Sequence, residues 1–398
     1  MPFGIYVHIP YCLQRCSYCD FATFVQNEIP PPEKYIPLLL QEIRSLAPLY
    51  REAGLHSKPL TSIYFGGGTP SLIDPQLIVA VLKEISKQGF RTGPDTEVTL
   101  EINPATLSDG KMQAYLDGGI NRFSVGAQTF NDSLLKMVHR EHNSQQTRDT
   151  LNFLKSHGVN YSFDLLFALP HQNLEMLKAD LDEVLSFLPN HVSPYCLTVP
   201  EAHPLTANRP TEEHQIEMFG LIDKTLTTAG YQKYEISNFC QPSFESRHNS
   251  LYWQDAPYWG VGLSSHSYRP DLGPWGLRYW NAKTYSSYEA QINSLVQSEA
   301  ASLGGHVKDY QHEFLKKHEA LTDFIHTSLR RAVGLSESKL RDKFGEADFN
   351  KVRPRLEMLR LRQLLELRPQ MHWALTSQGQ ILSNLVFEEL AFLEDELN

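Results

Sequence analysis

The chain has 398 residues, 41% apolar and 21% charged, with 36 Lys and Arg against 46 Asp and Glu and a formal net charge of −10. That composition builds packed cores rather than a disordered chain, and the length suits two or three domains. The acidity argues against a general nucleic-acid binder, and no window reaches the ~20 uninterrupted apolar residues that span a bilayer.

The first ten residues, Met1 to Pro10, hold neither a basic start nor a cleavable apolar stretch. No secretory leader is expected, and the cytoplasm is the expected compartment. From Ile5 onward one unit repeats: a short β-branched or aromatic run, a loop, then a helix-period segment. Strands are expected at residues 5–9, 62–65, 97–102, 122–125, 161–167 and 193–199, with Pro194 weakening the last. Helical stripes run through Tyr35, Ile36, Leu39 and Ile43, through Leu77, Ile78, Val81 and Ile85, and through Leu174, Leu177, Leu181, Val184 and Leu188.

Such alternation predicts an α/β chain with a parallel sheet and right-handed crossovers, open-barrelled or doubly wound, its ligand at the carboxyl ends of the strands. The polar and glycine-rich features stand at those ends: the cysteines after strand one, Gly66-Gly67-Gly68-Thr69 after strand two, Glu101 at the end of strand three, Gln128 after strand four and Asp164 in strand five. Domains are expected at 1–200, 201–305 (α+β) and 306–398. The last is mainly helical, with helices at 321–331, 336–344, 351–362 and 377–393 and a small hairpin at 364–375, a winged-helix-like order.

Five cysteines in a chain of this length make no disulfide framework. Cys12, Cys16 and Cys19 lie in a C-x3-C-x2-C spacing that could hold one side of an iron–sulfur cluster and leave one iron open. A structural zinc site with His8 as fourth ligand, or three unligated thiols, are the alternatives.

The segment Tyr6-Val-His-Ile-Pro-Tyr-Cys12 through Cys16, Tyr18, Cys19, Asp20 and Phe21 resembles the start of radical SAM proteins, specifically the branch of oxygen-independent coproporphyrinogen III oxidases and heme chaperones. The resemblance extends at least from Ile5 to Tyr268. It implies a partial, open (β/α)6 radical SAM barrel holding a [4Fe–4S] cluster on Cys12, Cys16 and Cys19, with S-adenosylmethionine on the open iron. It further implies Tyr6 and Phe21 near the cluster and sulfonium, and Gly66, Gly67, Gly68, Thr69 and Glu101 at the methionine amine. Arg140 would meet the carboxylate, Gln128 and Asp164 the ribose, and Phe167 and Ala168 the adenine. Ala168 stands where glycine is expected.

Two features separate the branches. The oxidase branch has a further cysteine where this chain has Phe21, and an N-terminal arm ahead of the cysteines. The run His248-Asn249-Ser250-Leu251-Tyr252-Trp253 matches the HNxxYW motif of the chaperone branch. Histidine is a common heme ligand, and tyrosine and tryptophan offer flat apolar area to a porphyrin. The resemblance therefore implies heme as a third ligand, with His248, Asn249, Tyr252 and Trp253 around it. The motif's usual continuation Gly-Ala-His-Ser is here Ser264-Ser265-His266-Ser267, which makes His266 a second candidate ligand.

The implied function is a heme chaperone that passes heme to acceptor hemoproteins, some membrane-bound, so that the chain would sit peripherally at a membrane during delivery. A homodimer is implied. The alternative is an oxygen-independent coproporphyrinogen III oxidase. Residues 330–368 carry 11 Lys and Arg against 6 Asp and Glu. A basic helix face is most often solvated, so this tail is expected to serve packing or partner docking and not nucleic acid.

Overall fold

A computed structural model describes residues 1–104, 106–297 and 310–397, the side chain of Gln297 excepted. The domain boundary expected at 305/306 lies outside the described residues. Six strands succeed one another as β1 (Gly4–Ile9), β2 (Ser62–Gly67), β3 (Glu97–Ile102), β4 (Arg122–Gln128), β5 (Asn160–Phe167) and β6 (His191–Cys196). Each lies parallel beside the next. The intervening helices are α1 (Pro32–Glu52), α2 (Pro75–Lys87), α3 (Asp109–Asp117), α4 (Asp132–Met137), α5 (Ser144–Ser156) and α6 (Leu174–Phe187).

Local chemistry sets the helix starts. Asp74 caps α2 ahead of Pro75, Asn143 and Gln146 form a capping box on α5, and Asn173 caps α6. On β1, Ile5, Val7 and Ile9 join one apolar cluster with Tyr35, Ile36, Leu39 and Ile43 of α1. Tyr6 and His8 take the opposite, inner face, as strand alternation requires.

Two expectations need correction. Leu188 does not continue the α6 stripe. It is an exposed residue with φ +56 that ends the helix, because Pro189 disfavours right-handed helix at the residue before it. The helix expected over 377–393 is two, Ser377–Ile381 and Ser383–Glu389. A Cβ on Gly379 would stand 1.9 Å from the Leu364 carbonyl oxygen, so the first is pinned on the hairpin. The chain turns at Leu382, and Val386 and Leu390 are buried beyond it.

Pro194 sits inside β6 without cost to a ladder. The neighbour on that side pairs only with His191 and Val192.

Residues after 200 extend the same sheet at both edges. Helix α7 (Glu212–Thr228) leads to β7 (Gln232–Glu235) and β8 (Asn238–Cys240), and β8 lies antiparallel to β6. Helix α8 (Arg247–Trp253) leads to β9 (Tyr258–Val261), which lies parallel to β1. Strands β10 (His266–Arg269), β11 (Leu277–Trp280) and β12 (Gln311–Phe314) follow antiparallel, with helix α9 (Tyr285–Gln297) between the last two. The twelve-stranded sheet ends in β12 on one side and β7 on the other, so the barrel stays open.

The C-terminal part has its own apolar core around Leu321, Phe349, Leu356 and Trp373. Helices Lys317–Arg330, Glu337–Phe344 and Glu346–Leu361 pack with a three-stranded sheet of β13 (Leu335–Ser336), β14 (Leu365–Arg368) and β15 (His372–Leu375), with β15 in the middle. Several of its cations are paired: Arg341 with Glu337 and Glu346, Lys343 with Asp255, Arg355 with Glu396 and Arg362 with Glu389. No helix among the described residues is long and apolar enough to cross a membrane.

Candidate functional site

The carboxyl ends of β1 to β6 surround a cavity of about 450 Å³, a size that suits one small organic molecule. Cys12, Cys16 and Cys19 line it from the loop after β1. Each thiol has a polar neighbour. The Arg140 guanidinium donates to Cys16 Sγ at 3.4 Å, Thr69 Oγ1 to Cys12 Sγ at 3.9 Å, and Thr23 Oγ1 meets Cys19 Sγ at 3.9 Å. Burial pushes the Cys12 thiol up to about 11, so a metal would have to displace its proton.

The donor set fits an iron–sulfur cluster better than zinc. His8, the required fourth zinc ligand, is 3% exposed and engages both ring nitrogens: Nδ1 with the Tyr6 hydroxyl at 3.1 Å and Nε2 with the Ala22 carbonyl at 2.9 Å. Among the described residues, no three His, Cys, Asp or Glu side chains converge closely enough for a single metal ion. A four-iron cluster holds its thiolates further apart than one ion does, and hydrogen bonds to sulfur tune it.

The glycine run closes the cavity from β2. Gly67 has φ +102, and a Cβ there would stand 2.3 Å from the His8 ring. A Cβ on Gly68 would meet the carbonyls of Ile9 and Tyr11 at 2.7 and 2.6 Å. The bare backbone is thus required by β1 itself, and it leaves the main chain open to the cavity. Glu101 Oε2 accepts the Gly67 N–H at 3.1 Å, and Oε1 accepts the Tyr64 hydroxyl at 2.8 Å. Burial raises the Glu101 carboxyl to about 7 and that of Asp164 to about 6. Asp164 accepts from Ser124 Oγ at 3.2 Å. Gln128 has φ +69 beside a break in the β4–β5 register, and its side chain faces the cavity. Arg140 also donates to the Gly126 carbonyl.

The sequence-expected residues divide. Cys12, Cys16, Cys19, Phe21, Gly67, Gly68, Thr69, Glu101, Gln128, Arg140, Asp164 and Asn249 line this one cavity. Tyr6 stands behind it, its ring 6.2 Å from Tyr64. Gly66 packs on the Glu101 carboxyl. Phe167 and Ala168 are buried beside the wall, and Ala168 has φ +59, the conformation that explains the expected glycine.

The HNxxYW residues share helix α8, and of them only Asn249 lines the cavity. Glu97, the first residue of β3, accepts the N–H groups of Arg247 and His248 at 3.0 and 3.1 Å, and Ser246 caps Asn249. A carboxylate on those orphan donors fixes α8 at the amino-terminal end of the barrel, opposite the cysteines. His248 is buried there with Nδ1 on Ser62 Oγ and Nε2 on the Tyr252 hydroxyl, each at 2.8 Å. Burial, with Arg122 nearby, lowers its pKa to about 3. A ligand role would require one of those bonds to open. The Arg330 guanidinium lies 4.5 Å from the Trp253 ring centre. His266 is exposed on β10, stacked on Trp280 at 5.4 Å and 17°.

Sequence reasoning missed Arg122, Ser124, Ser193, Tyr195 and His139, which share the cavity. Two-residue alternation back from Gln128 along β4 would have found Ser124 and Arg122. Buried Arg122 places Nε 3.9 Å from Glu97 and is, with Arg140, a cation on the cavity lining.

Residues 6–184 match the Radical SAM superfamily. The heme chaperone HemW of Lactococcus lactis subsp. lactis (strain IL1403) is 33% identical over 408 residues, covering 100% of this chain and 99% of that protein. The heme chaperone HemW of Bacillus subtilis (strain 168) is 30% identical across 96% of this chain and 97% of its own. The solved structure of the coproporphyrinogen III oxidase HemN from Escherichia coli superposes with a TM-score of 0.80, covering 98% of this chain and 90% of that one at 22% identity, a likeness of fold.

Proposed function

The chain belongs to the HemW family within the radical SAM superfamily, and from that membership we propose that it is a heme chaperone, binding heme and passing it to acceptor hemoproteins. The observation that carries this reading is full-length similarity to proteins of that name. Phe21, standing where the oxidase branch has a further cysteine, supports it.

In this reading Cys12, Cys16 and Cys19 hold a [4Fe–4S] cluster with one iron open to S-adenosylmethionine. When bound, that pair supplies one-electron chemistry and a redox-responsive centre. The chain's own residues bind and orient. Gly66, Gly67, Gly68, Thr69 and Glu101 receive the methionine amine, and Arg140 its carboxylate in a guanidinium fork. Gln128 and Asp164 take the ribose, Phe167 and Ala168 the adenine edge, with Tyr6 and Phe21 flanking the cluster. An ammonium next to Glu101 would draw that carboxyl back to its charged form. Delivery is expected from the cytoplasm, to acceptors that include membrane-bound ones, with a homodimer as the working assembly.

The test is anaerobic. The reconstituted protein is titrated with heme and, separately, incubated with coproporphyrinogen III, S-adenosylmethionine and a reductant. Stable heme binding, transfer to an apo-hemoprotein and no decarboxylated product are expected. Decarboxylated product would make it an oxidase instead.

A further inference from the structure

We propose that His139 is the residue that binds heme iron, with the macrocycle lying across the cavity mouth against Phe21, Leu13 and Tyr195. This rests on the heme-binding reading above and says where the iron sits.

One cavity of about 450 Å³ is filled by a cluster and S-adenosylmethionine in that reading, which leaves heme its rim. The floor is closed to iron in this conformation, since His248 spends both nitrogens on Ser62 and Tyr252. The rim holds a different histidine. His139 lines the cavity mouth beside Arg140, is exposed, and among the described residues its imidazole has no hydrogen-bond or ion-pair partner. A ring nitrogen is therefore available to iron, which needs only one.

Its backbone is the second observation. His139 follows α4, its N–H bonded to the Lys136 carbonyl and that of Arg140 to the Leu135 carbonyl. This ending places a left-handed residue after the helix, where glycine is the usual occupant. His139 takes φ +57 there. A left-handed side chain on the cavity lining, with no partner inside the chain, is open to a partner outside it.

The third is the rim itself. Phe21, Leu13 and Tyr195 line the same mouth and are 64%, 47% and 43% exposed. Three large exposed side chains and a free imidazole on the lining of one cavity suit a flat apolar macrocycle with a metal at its centre.

The experiment uses the full chain and ferric heme, read by absorption and electron paramagnetic resonance. The variants are His139→Gly and His248→Ala. The wild type is expected to show histidine-ligated heme. His139→Gly is expected to lose that signature and bind at least tenfold more weakly, while melting no lower than wild type because glycine relieves the left-handed strain. Added imidazole should restore the spectrum. His248→Ala should keep the signature wherever it folds. An unchanged spectrum and affinity in His139→Gly overturns the assignment and leaves heme binding standing. Failure of the wild type to bind heme overturns the chaperone reading and this inference with it.

Discussion

The imidazole of His248 and the hydroxyl of Ser62, 186 residues apart in the chain, share a 2.8 Å hydrogen bond inside the barrel. Through it α8 becomes a plug in the amino-terminal end of the barrel, and a motif that reads as a ligand set becomes part of the barrel floor. The first prediction follows. His248→Ala strands the hydroxyls of Ser62 and Tyr252 in a buried space and should cost about 2–4 kcal/mol of stability. Denaturant unfolding measures it. A change of under 0.5 kcal/mol would mean that the plug is not held by these bonds.

Cys12, Cys16 and Cys19 are only partly buried, and their sulfur neighbours are weak hydrogen bonds. Replacing any one by alanine should change the stability of the metal-free chain by less than about 1 kcal/mol. It should abolish the visible cluster absorption after reconstitution. Iron and sulfide per chain, measured beside the melting curve, check both halves. A variant that keeps full iron would remove that thiol from the ligand set.

Glu42 of α1 is buried among three donors, two from the loops that follow β9 and β11 and one from α9. It accepts from the Gly262 N–H at 2.8 Å, Asn281 Nδ2 at 2.7 Å and the Tyr288 hydroxyl at 2.6 Å. Glu42→Ala leaves the Gly262 N–H and the Tyr288 hydroxyl unsatisfied, while Asn281 Nδ2 keeps the Gly262 carbonyl and Ser265 Oγ, and should cost about 2 kcal/mol or more. Glu42→Gln keeps an acceptor and should cost less. Equal losses in the two variants would show that packing, not hydrogen bonding, carries the site.

Burial raises the Glu101 carboxyl from its ordinary 4.5 to about 7. Between those values the folded chain binds a proton that the unfolded chain has released, so stability falls as pH rises through that window. Glu101→Gln removes this dependence. The ligand-free variant should therefore gain on the wild type by on the order of 1–3 kcal/mol at pH 8 and by little at pH 4.5. Unfolding curves at the two pH values decide it. A gain that is the same at both would place the charged carboxylate in a solvated or fully paired setting.

Much of the barrel was legible in sequence, because its signals are local. β-branched runs, helix stripes and capping residues act within a few positions, and the expected strand at 97–102 is the observed β3. Most of the residues expected around the cluster and nucleoside gather at one cavity, because in a parallel sheet every strand ends on the same side. Expectation was weakest where one residue's fate depends on a distant partner. Leu188 reads as core, yet Pro189 turns it out. Arg122 reads as a strand end, yet Glu97 draws it into the barrel interior.

By itself the sequence determined the α/β alternation, the three-cysteine loop, the glycine run beside it and the family. These follow from residue type and short spacing, which folding preserves. Only the tertiary structure decided that residues after 200 join both edges of one open sheet. Strand pairing between β9 and β1 spans some 250 residues and leaves no local mark. It also decided which of these two histidines is free. A ring's availability is set by what folds against it, and His248 meets Ser62 and Tyr252 while the His139 ring, on the cavity lining, has no hydrogen-bond or ion-pair partner among the described residues.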